Sequence, residues 1–225
     1  MDQIIKTVTP IAAALAIIAF ALPSYLSVVR QRGTKGLVLL LATGVYLLLM
    51  LGLLAKISLP VIGFSFSSSL GYKILGVVPW TIAFAYPPIL LAGFWLANKI
   101  SRGFLGVLLT AFFALIINVA IDPALGRLTL WHWENPGSFY GVPILGFLAW
   151  FVVWLVGAFI VSKIWDPEEE APKRGAAFSG FLILWFWSGV NFGLQHWVPG
   201  AIGVVLGVAM FVMMFIEKRR DQKES

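Results

Sequence analysis

The chain has 225 residues, of which 60% are hydrophobic and 12% charged, with a mean hydropathy of +0.93. Soluble domains carry about 25% charged residues, so a water-soluble globule is excluded, and the apolar excess suffices for several bilayer spans of about 20 residues in one domain. A net charge of +6 fits the basic cytoplasmic loops of a membrane protein rather than a nucleic-acid footprint, and the lack of cysteine excludes disulfides, thiolate metal sites and cysteine nucleophiles.

Seven apolar segments follow in chain order, over residues 10–29, 36–55, 77–97, 103–121, 142–161, 176–195 and 198–216. Each is long enough to cross a ~30 Å hydrocarbon core as a helix. The period-2 alternation of a membrane barrel is missing, so helices are the only way to satisfy the backbone in lipid. In the first segment Thr9 and Pro10 supply an N-cap and a first-turn proline, so the helix is expected to begin there. Ala19-Phe20-Ala21 resembles a signal-peptidase site, but the weak positive region (Lys6 opposed by Asp2) and the span-length apolar run argue against cleavage. In the third segment Pro87-Pro88 is expected to kink the helix and free carbonyls for other partners. Pro199 sits near the start of the seventh, and Gly189-x-x-x-Gly193 and Gly203-x-x-x-Gly207 read as small-residue packing motifs. The expected architecture is an all-α polytopic bundle of about seven transmembrane helices, one domain over 1–216 with a short polar tail over 217–225.

Assigning Lys and Arg to alternate loops puts Lys6, Lys56, Lys73 and Arg127 on one side and the remaining twelve basic residues on the other. The positive-inside rule makes the twelve-charge side cytoplasmic, with the N-terminus outside, the C-terminus inside and the protein in the cell membrane. The stretch 165–174, containing Glu168, Glu169 and Glu170, is then a solvated cytoplasmic loop. Residues 58–76 are too polar and too rich in glycine and serine for an eighth span, and read as an outer-surface or partly re-entrant segment.

With this topology the polar and aromatic groups gather at one membrane face. Trp80 and Tyr86 lie on the third segment, Asn118 and Asp122 on the fourth, Trp150 on the fifth, Asn191 and Gln195 on the sixth. Asn118 and Asp122 are four apart, as are Asn191 and Gln195, so each pair shares a helical face and can project into one cavity. The stretch 122–143 adds Arg127, Trp131, His132, Trp133, Glu134 and Tyr140. Because so many aromatic rings cannot stand in solvent, it is expected to fold into the mouth of the bundle. Plainer readings exist for each element: an aromatic belt at headgroup depth for the tryptophans and Tyr140, and a cap or an ion pair with Arg127 for Asp122. His132 and His196 show no metal spacing, so no metal site is expected.

Asp122-Pro123, Trp131-x-Trp133-Glu134 and Tyr140-Gly141-Val142-Pro143, followed by Phe147 and Trp150, resemble the signature of the carotenoid biosynthesis protein family. That family includes carotenoid hydratases acting on bisanhydrobacterioruberin and on gamma-carotene. Two positions depart from its pattern: Asn118 stands where an Asp is common, and Gly146 where an Asn is common. The resemblance implies hydration of the terminal double bond of an acyclic carotenoid, with no cofactor and with the isoprenoid and membrane lipids as partners. Such a reaction needs a proton for the less substituted carbon, a tertiary carbocation held briefly, and water for that cation. A carboxyl in an apolar site stays protonated because desolvation disfavours the anion. Asp122 and Glu134 are the carboxyls of the outer half besides Asp2, with Asp122 the expected acid. Trp131, Trp133, Tyr140 and Trp150, with Trp80 and Tyr86, would line the substrate site and cage the cation, and Asn118, Asn191 and Gln195 would orient water.

Two other classes remain open. A small transporter or channel would also carry intramembrane polar residues and kinked helices, although its polar groups would gather near the midplane. A carotenoid- or lipid-binding protein without turnover is compatible with Asn118 and Gly146. A retinal-type photoreceptor needs a lysine inside a late span, and residues 198–216 contain none.

Overall fold

The computed structural model describes residues 2–57, 63–165 and 172–224. Among them lie eight helices: α1 (Asp2–Arg32), α2 (Thr34–Ile57), α3 (Ile82–Ala85), α4 (Pro87–Asn98), α5 (Gly103–Arg127), α6 (Ile144–Ile164), α7 (Arg174–Gly193) and α8 (Trp197–Glu224). Four short strands accompany them: β1 (Phe64–Phe66), β2 (Lys73–Ile74), β3 (Val78–Pro79) and β4 (Trp131–Trp133). The protein is an all-α membrane bundle, in which α2, α5, α6, α7 and α8 are each long and apolar enough to cross a bilayer.

The shortest of the major helices is the central one. Every residue of α4 from Pro87 to Ala97 is buried, and α4 touches α1, α2, α5, α6 and α7. A helix that is apolar on all sides belongs inside a bundle. Close approach is possible because Gly93 carries no side chain: a Cβ there would lie 2.7 Å from the Thr110 carbonyl oxygen of α5. The expectation of one kinked helix over 77–97 is corrected here. β3 and the single turn α3 precede α4, and Pro87 and Pro88 occupy its first turn, where a missing N–H breaks no intrahelical bond. The proline with the expected effect is Pro123, inside α5, which removes the donor for the Val119 carbonyl.

Contacts at the helix ends define two poles. At the basic pole Lys99 of α4 pairs with Glu217 of α8 at 3.1 Å. There too Arg32 of α1 lies over the Trp165 ring, 4.5 Å away, and the Lys173 N–H donates to Gln31 Oε1 at 3.1 Å. At the aromatic pole β1 pairs antiparallel with β4, Phe64 opposite Trp133 and Phe66 opposite Trp131. The chain thus passes between the poles seven times, the third pass being α3 with α4.

Three further expectations change. Helix α1 begins before Thr9 and Pro10, which therefore do not start it. Trp165 is buried against Arg32 and Phe94 rather than solvated, while Glu168, Glu169 and Glu170 lie outside the described residues. The polar tail over 217–225 keeps its polar character, with α8 running through it as helix to Glu224. Of the two small-residue motifs only the second packs: a Cβ at Gly203 would lie 2.2 Å from Ser188 Oγ and 3.4 Å from Ala120 Cβ, whereas Gly189 and Gly193 have nothing within 4 Å.

Candidate functional site

The aromatic pole is closed by a lid whose geometry follows from two three-residue alternations. Phe64-Ser65-Phe66 and Trp131-His132-Trp133 are each buried, exposed, buried. Strand residues alternate in direction, so pairing β1 with β4 turns four rings toward the bundle and leaves Ser65 and His132 outside. Trp131 and Trp133 are 3% and 6% exposed, so the stretch after α5 does fold into the mouth of the bundle. Gly146 makes this closure possible, because a Cβ there would come within 2.9 Å of the Trp133 ring edge. Residues 63–76, read as an outer-surface or re-entrant segment, supply β1, a 3-10 turn (Ser68–Leu70) and β2 to this lid; residues 58–62 lie outside the described residues.

Beneath the lid sits Asp122, with no solvent exposure. Helix α5 continues past Pro123 to Arg127 and so carries Asp122 into the bundle instead of leaving it at a helix end. Asn118 Nδ2, one turn earlier, donates to Asp122 Oδ1 at 3.3 Å, and the Trp150 indole of α6 lies close to the same carboxyl. Asp122 Oδ2 and Asn118 Oδ1 have no hydrogen-bond partner. The ion pair with Arg127 is not formed: Arg127 is exposed beyond the lid strand while Asp122 is sealed inside. An ionised carboxylate here would be an uncompensated buried charge, costing several kcal/mol by order of magnitude.

Trp150 begins an aromatic stack. The Tyr86 ring lies 5.3 Å from it at an interplanar angle of 10°, and Trp154, one turn along α6, lies 5.5 Å away on the same stack. Trp131 of the lid reaches Trp150 at 5.9 Å. Next to this stack is a cavity of about 260 Å³, walled by Tyr86 and Trp131, roofed by Leu70 and Leu130, and flanked by residues of α1 and α7. Ile121 and Leu125 of α5 also line it, so Asp122 lies on the neighbouring face of its helix, off the cavity wall and beside Tyr86. The cavity surface is almost wholly apolar. Thr81, a polar residue on it, gives its hydroxyl proton to the Leu70 carbonyl at 3.3 Å.

Asn191 is buried as expected, with a defined role. Its amide donates to the Ala120 carbonyl of α5 at 2.7 Å and to the Trp187 carbonyl at 2.8 Å, leaving Oδ1 without a partner. This ties α7 to α5 beside the proline-interrupted turn.

The structure does not bring the other expected residues to this site. Gln195 lies beyond α7 in a left-handed conformation (φ 62°) and is exposed. Its N–H bonds to the Phe192 carbonyl and that of His196 to the Asn191 carbonyl, the double closure of a Schellman turn, so it no longer shares a face with Asn191. Tyr140 stands at the rim, 36% exposed, its ring 4.8 Å from that of His196. Burial first, and then Arg127, hold the His196 imidazole below its ordinary pKa. Trp80 is 37% exposed and packs on Phe84, outside the stack. Glu134 is exposed at the edge of β4, its carboxylate against Gly63. The functional groups that sequence reading missed are Phe64, Phe66 and Trp154; the Phe-Ser-Phe alternation and the Trp150-to-Trp154 spacing were the available signals.

Comparison with known proteins gives one result. The family described as carotenoid biosynthesis protein matches residues 8–210, which is most of the chain, and the chain belongs to that family. No curated protein and no solved structure matches it.

Proposed function

We propose that this member of the carotenoid biosynthesis protein family adds water across the terminal C=C bond of an acyclic carotenoid. The observation that carries the reading is a fully buried carboxyl, Asp122, held by Asn118 near Trp150 and beside an aromatic-walled apolar cavity. In this scheme Asp122 is the acid. Its proton would reach the cavity through the hydroxyl of Tyr86, which lies within range of the carboxyl's charge and lines the cavity. The π electron pair of the alkene forms the new C–H bond at the less substituted carbon, leaving a tertiary cation. The faces of Tyr86 and Trp131 stabilise that cation by about 0.5–2 kcal/mol each. Water adds its oxygen to the cation and returns a proton through Tyr86 to the Asp122 carboxylate, which balances the reaction as alkene plus water to tertiary alcohol. Asn118 and Asn191 do not line the cavity; their Oδ1 atoms, without a protein partner, would accept from water held in the seams of α5 and α7 before it enters. Glu134 and Gln195, both exposed, have no part in this chemistry.

The test is to express the chain in cells that accumulate an acyclic carotenoid and to ask by mass spectrometry whether the pigment gains one water. The position of Asp122 off the cavity wall favours a second reading, carotenoid binding without turnover. Pigment retained by the purified protein, but never hydrated, would select it.

A further inference from the structure

We propose that the cavity receives only one end of a long acyclic polyene, and that this end comes in sideways from the bilayer between α1 and α7, past Phe20 and Phe186. The inference rests on the carotenoid reading above, but concerns loading of the cavity rather than the reaction.

Size is the first argument. About 260 Å³ is below the roughly 300–1,000 Å³ of pockets that enclose a drug-sized ligand. A carotenoid is longer than such ligands, so only an end group fits and the rest of the chain must leave through a wall. The second argument is which wall is thin. At the roof Leu70, Leu130 and Trp131 belong to the lid, whose strands are hydrogen-bonded and whose rings interlock, and Leu128, also lining the cavity and 43% exposed, caps the end of α5 at the aromatic pole rather than standing on the flank of the bundle. The α4 and α5 walls are helix backbone in close contact. On the remaining side Ala16 and Phe186 both line the cavity and are themselves exposed, Phe186 by 45%, so that wall is one residue thick and borders lipid.

The third argument is how α1 and α7 are joined. Toward the basic pole they are locked. The Ser24 N–H donates to Ser179 Oγ at 2.9 Å, a Cβ at Gly175 would lie 2.4 Å from Ser27 Cβ, and Gln31 accepts from the Lys173 N–H at 3.1 Å. Toward the aromatic pole the ring contact between them is Phe20 on Phe186, with centroids 5.3 Å apart and planes tilted by 48°. Pro23 separates the two regimes. A proline inside a helix removes one backbone bond and is where helices bend, and the residue immediately after it is the one whose N–H goes to Ser179. Among the described residues, the part of α1 just before Pro23 meets α7 through two phenyl rings with no polar bond to break, so this is the part free to move away from α7 and those rings are its closure. Both sides of the opening are apolar, which suits a solute already dissolved in the bilayer.

The chain has no native cysteine, so a Phe20→Cys/Phe186→Cys double variant of the full-length protein can be closed and reopened by oxidant and reductant. In phosphatidylcholine vesicles containing an acyclic C40 polyene (lycopene), loading is read as quenching of tryptophan fluorescence by the polyene, and turnover as gain of one water by mass spectrometry. Closing the disulfide is expected to slow quenching at least about tenfold, with recovery on reduction, because one covalent bond replaces a ring contact. Equal rates in the cross-linked and reduced protein would overturn the proposal and place the opening at the lid. Phe186→Ala provides an independent arm needing no cross-link: loading should be faster than in the unmodified chain, and an unchanged rate would count against it. Quenching without hydration in the open protein would remove the catalytic reading and leave the route standing. Undiminished hydration in the closed protein would do the reverse.

Discussion

Replacing Asp122 by Asn separates the chemistry from the fold. The carboxyl is sealed from solvent, takes a hydrogen bond from Asn118 Nδ2 at 3.3 Å, and leaves Asn118 Oδ1 without a donor. An amide of the same shape keeps an acceptor for that bond and adds an N–H that can serve Asn118 Oδ1. The buried network is thus no worse satisfied, and thermal stability should stay within about 1 kcal/mol of the parent. The proton, however, is gone. General acids contribute about 10²–10⁴-fold, which at about 1.4 kcal/mol per tenfold is roughly 3–5 kcal/mol of barrier. In cells accumulating an acyclic carotenoid, Asp122→Asn should therefore hold pigment but return it without the added water. Glu134→Gln, at the exposed edge of β4, should lose less than about tenfold. Full product from Asp122→Asn would refute the assignment, and a dead Glu134→Gln beside an active Asp122→Asn would transfer the acid role to the rim.

Three further outcomes are expected. Gly146→Ala, which elsewhere in a helix would add about 1 kcal/mol of stability, should here lower the melting temperature, because its Cβ would meet the buried Trp133 ring at 2.9 Å; a rise would show that the lid is not packed on α6. Gln195→Gly should raise it, by relieving about 1 kcal/mol of left-handed strain at φ 62°, and should leave hydration unchanged; lost hydration would return Gln195 to the site. Tags at the two termini should label from opposite sides of the membrane, the C-terminal one from the cytoplasm, and labelling from one side would contradict seven passes.

The spans were readable because bilayer crossing demands length and apolarity, which survive in any sequence window. What hydropathy does not encode is whom a span faces. Residues 87–97 read like the other spans, yet they form the core of the bundle, and only their lack of any polar stripe hinted at it. The meaning of Pro87 depended on where the preceding turn ends, since a proline costs nothing in a first turn and much in a helix interior. Gln195 was misplaced because the left-handed residue that closes a helix is usually glycine; with Gln there, no stop signal separated it from Asn191. The β1–β4 pairing joins strands of three residues across some sixty positions of chain, beyond the reach of local pattern.

Asp122 is the most instructive case. Its place at the end of a span makes it the more desolvated of the two outer carboxyls, and the structure goes further: the continuation of α5 through Pro123 and the closure of β1 and β4 over it leave it dry. That dryness bears on mechanism. A tertiary cation survives only where nucleophiles are few, and a proton donor works on an alkene only if it is not already spent on water. The proposed hydration must then bring together two reactants that do not mix. The apolar cavity borders lipid beside α1 and α7, while unpartnered acceptors of Asn118, Asp122 and Asn191 lie within the helix seams. Of the stack formed by Tyr86, Trp150 and Trp154 and capped by Trp131, Tyr86 is the member that lines the cavity and also lies within range of the Asp122 charge. In the proposed reaction the proton passes from Asp122 to the cavity through that one hydroxyl, so Tyr86→Phe, which keeps the ring and the stack, should reduce hydration while leaving polyene loading intact.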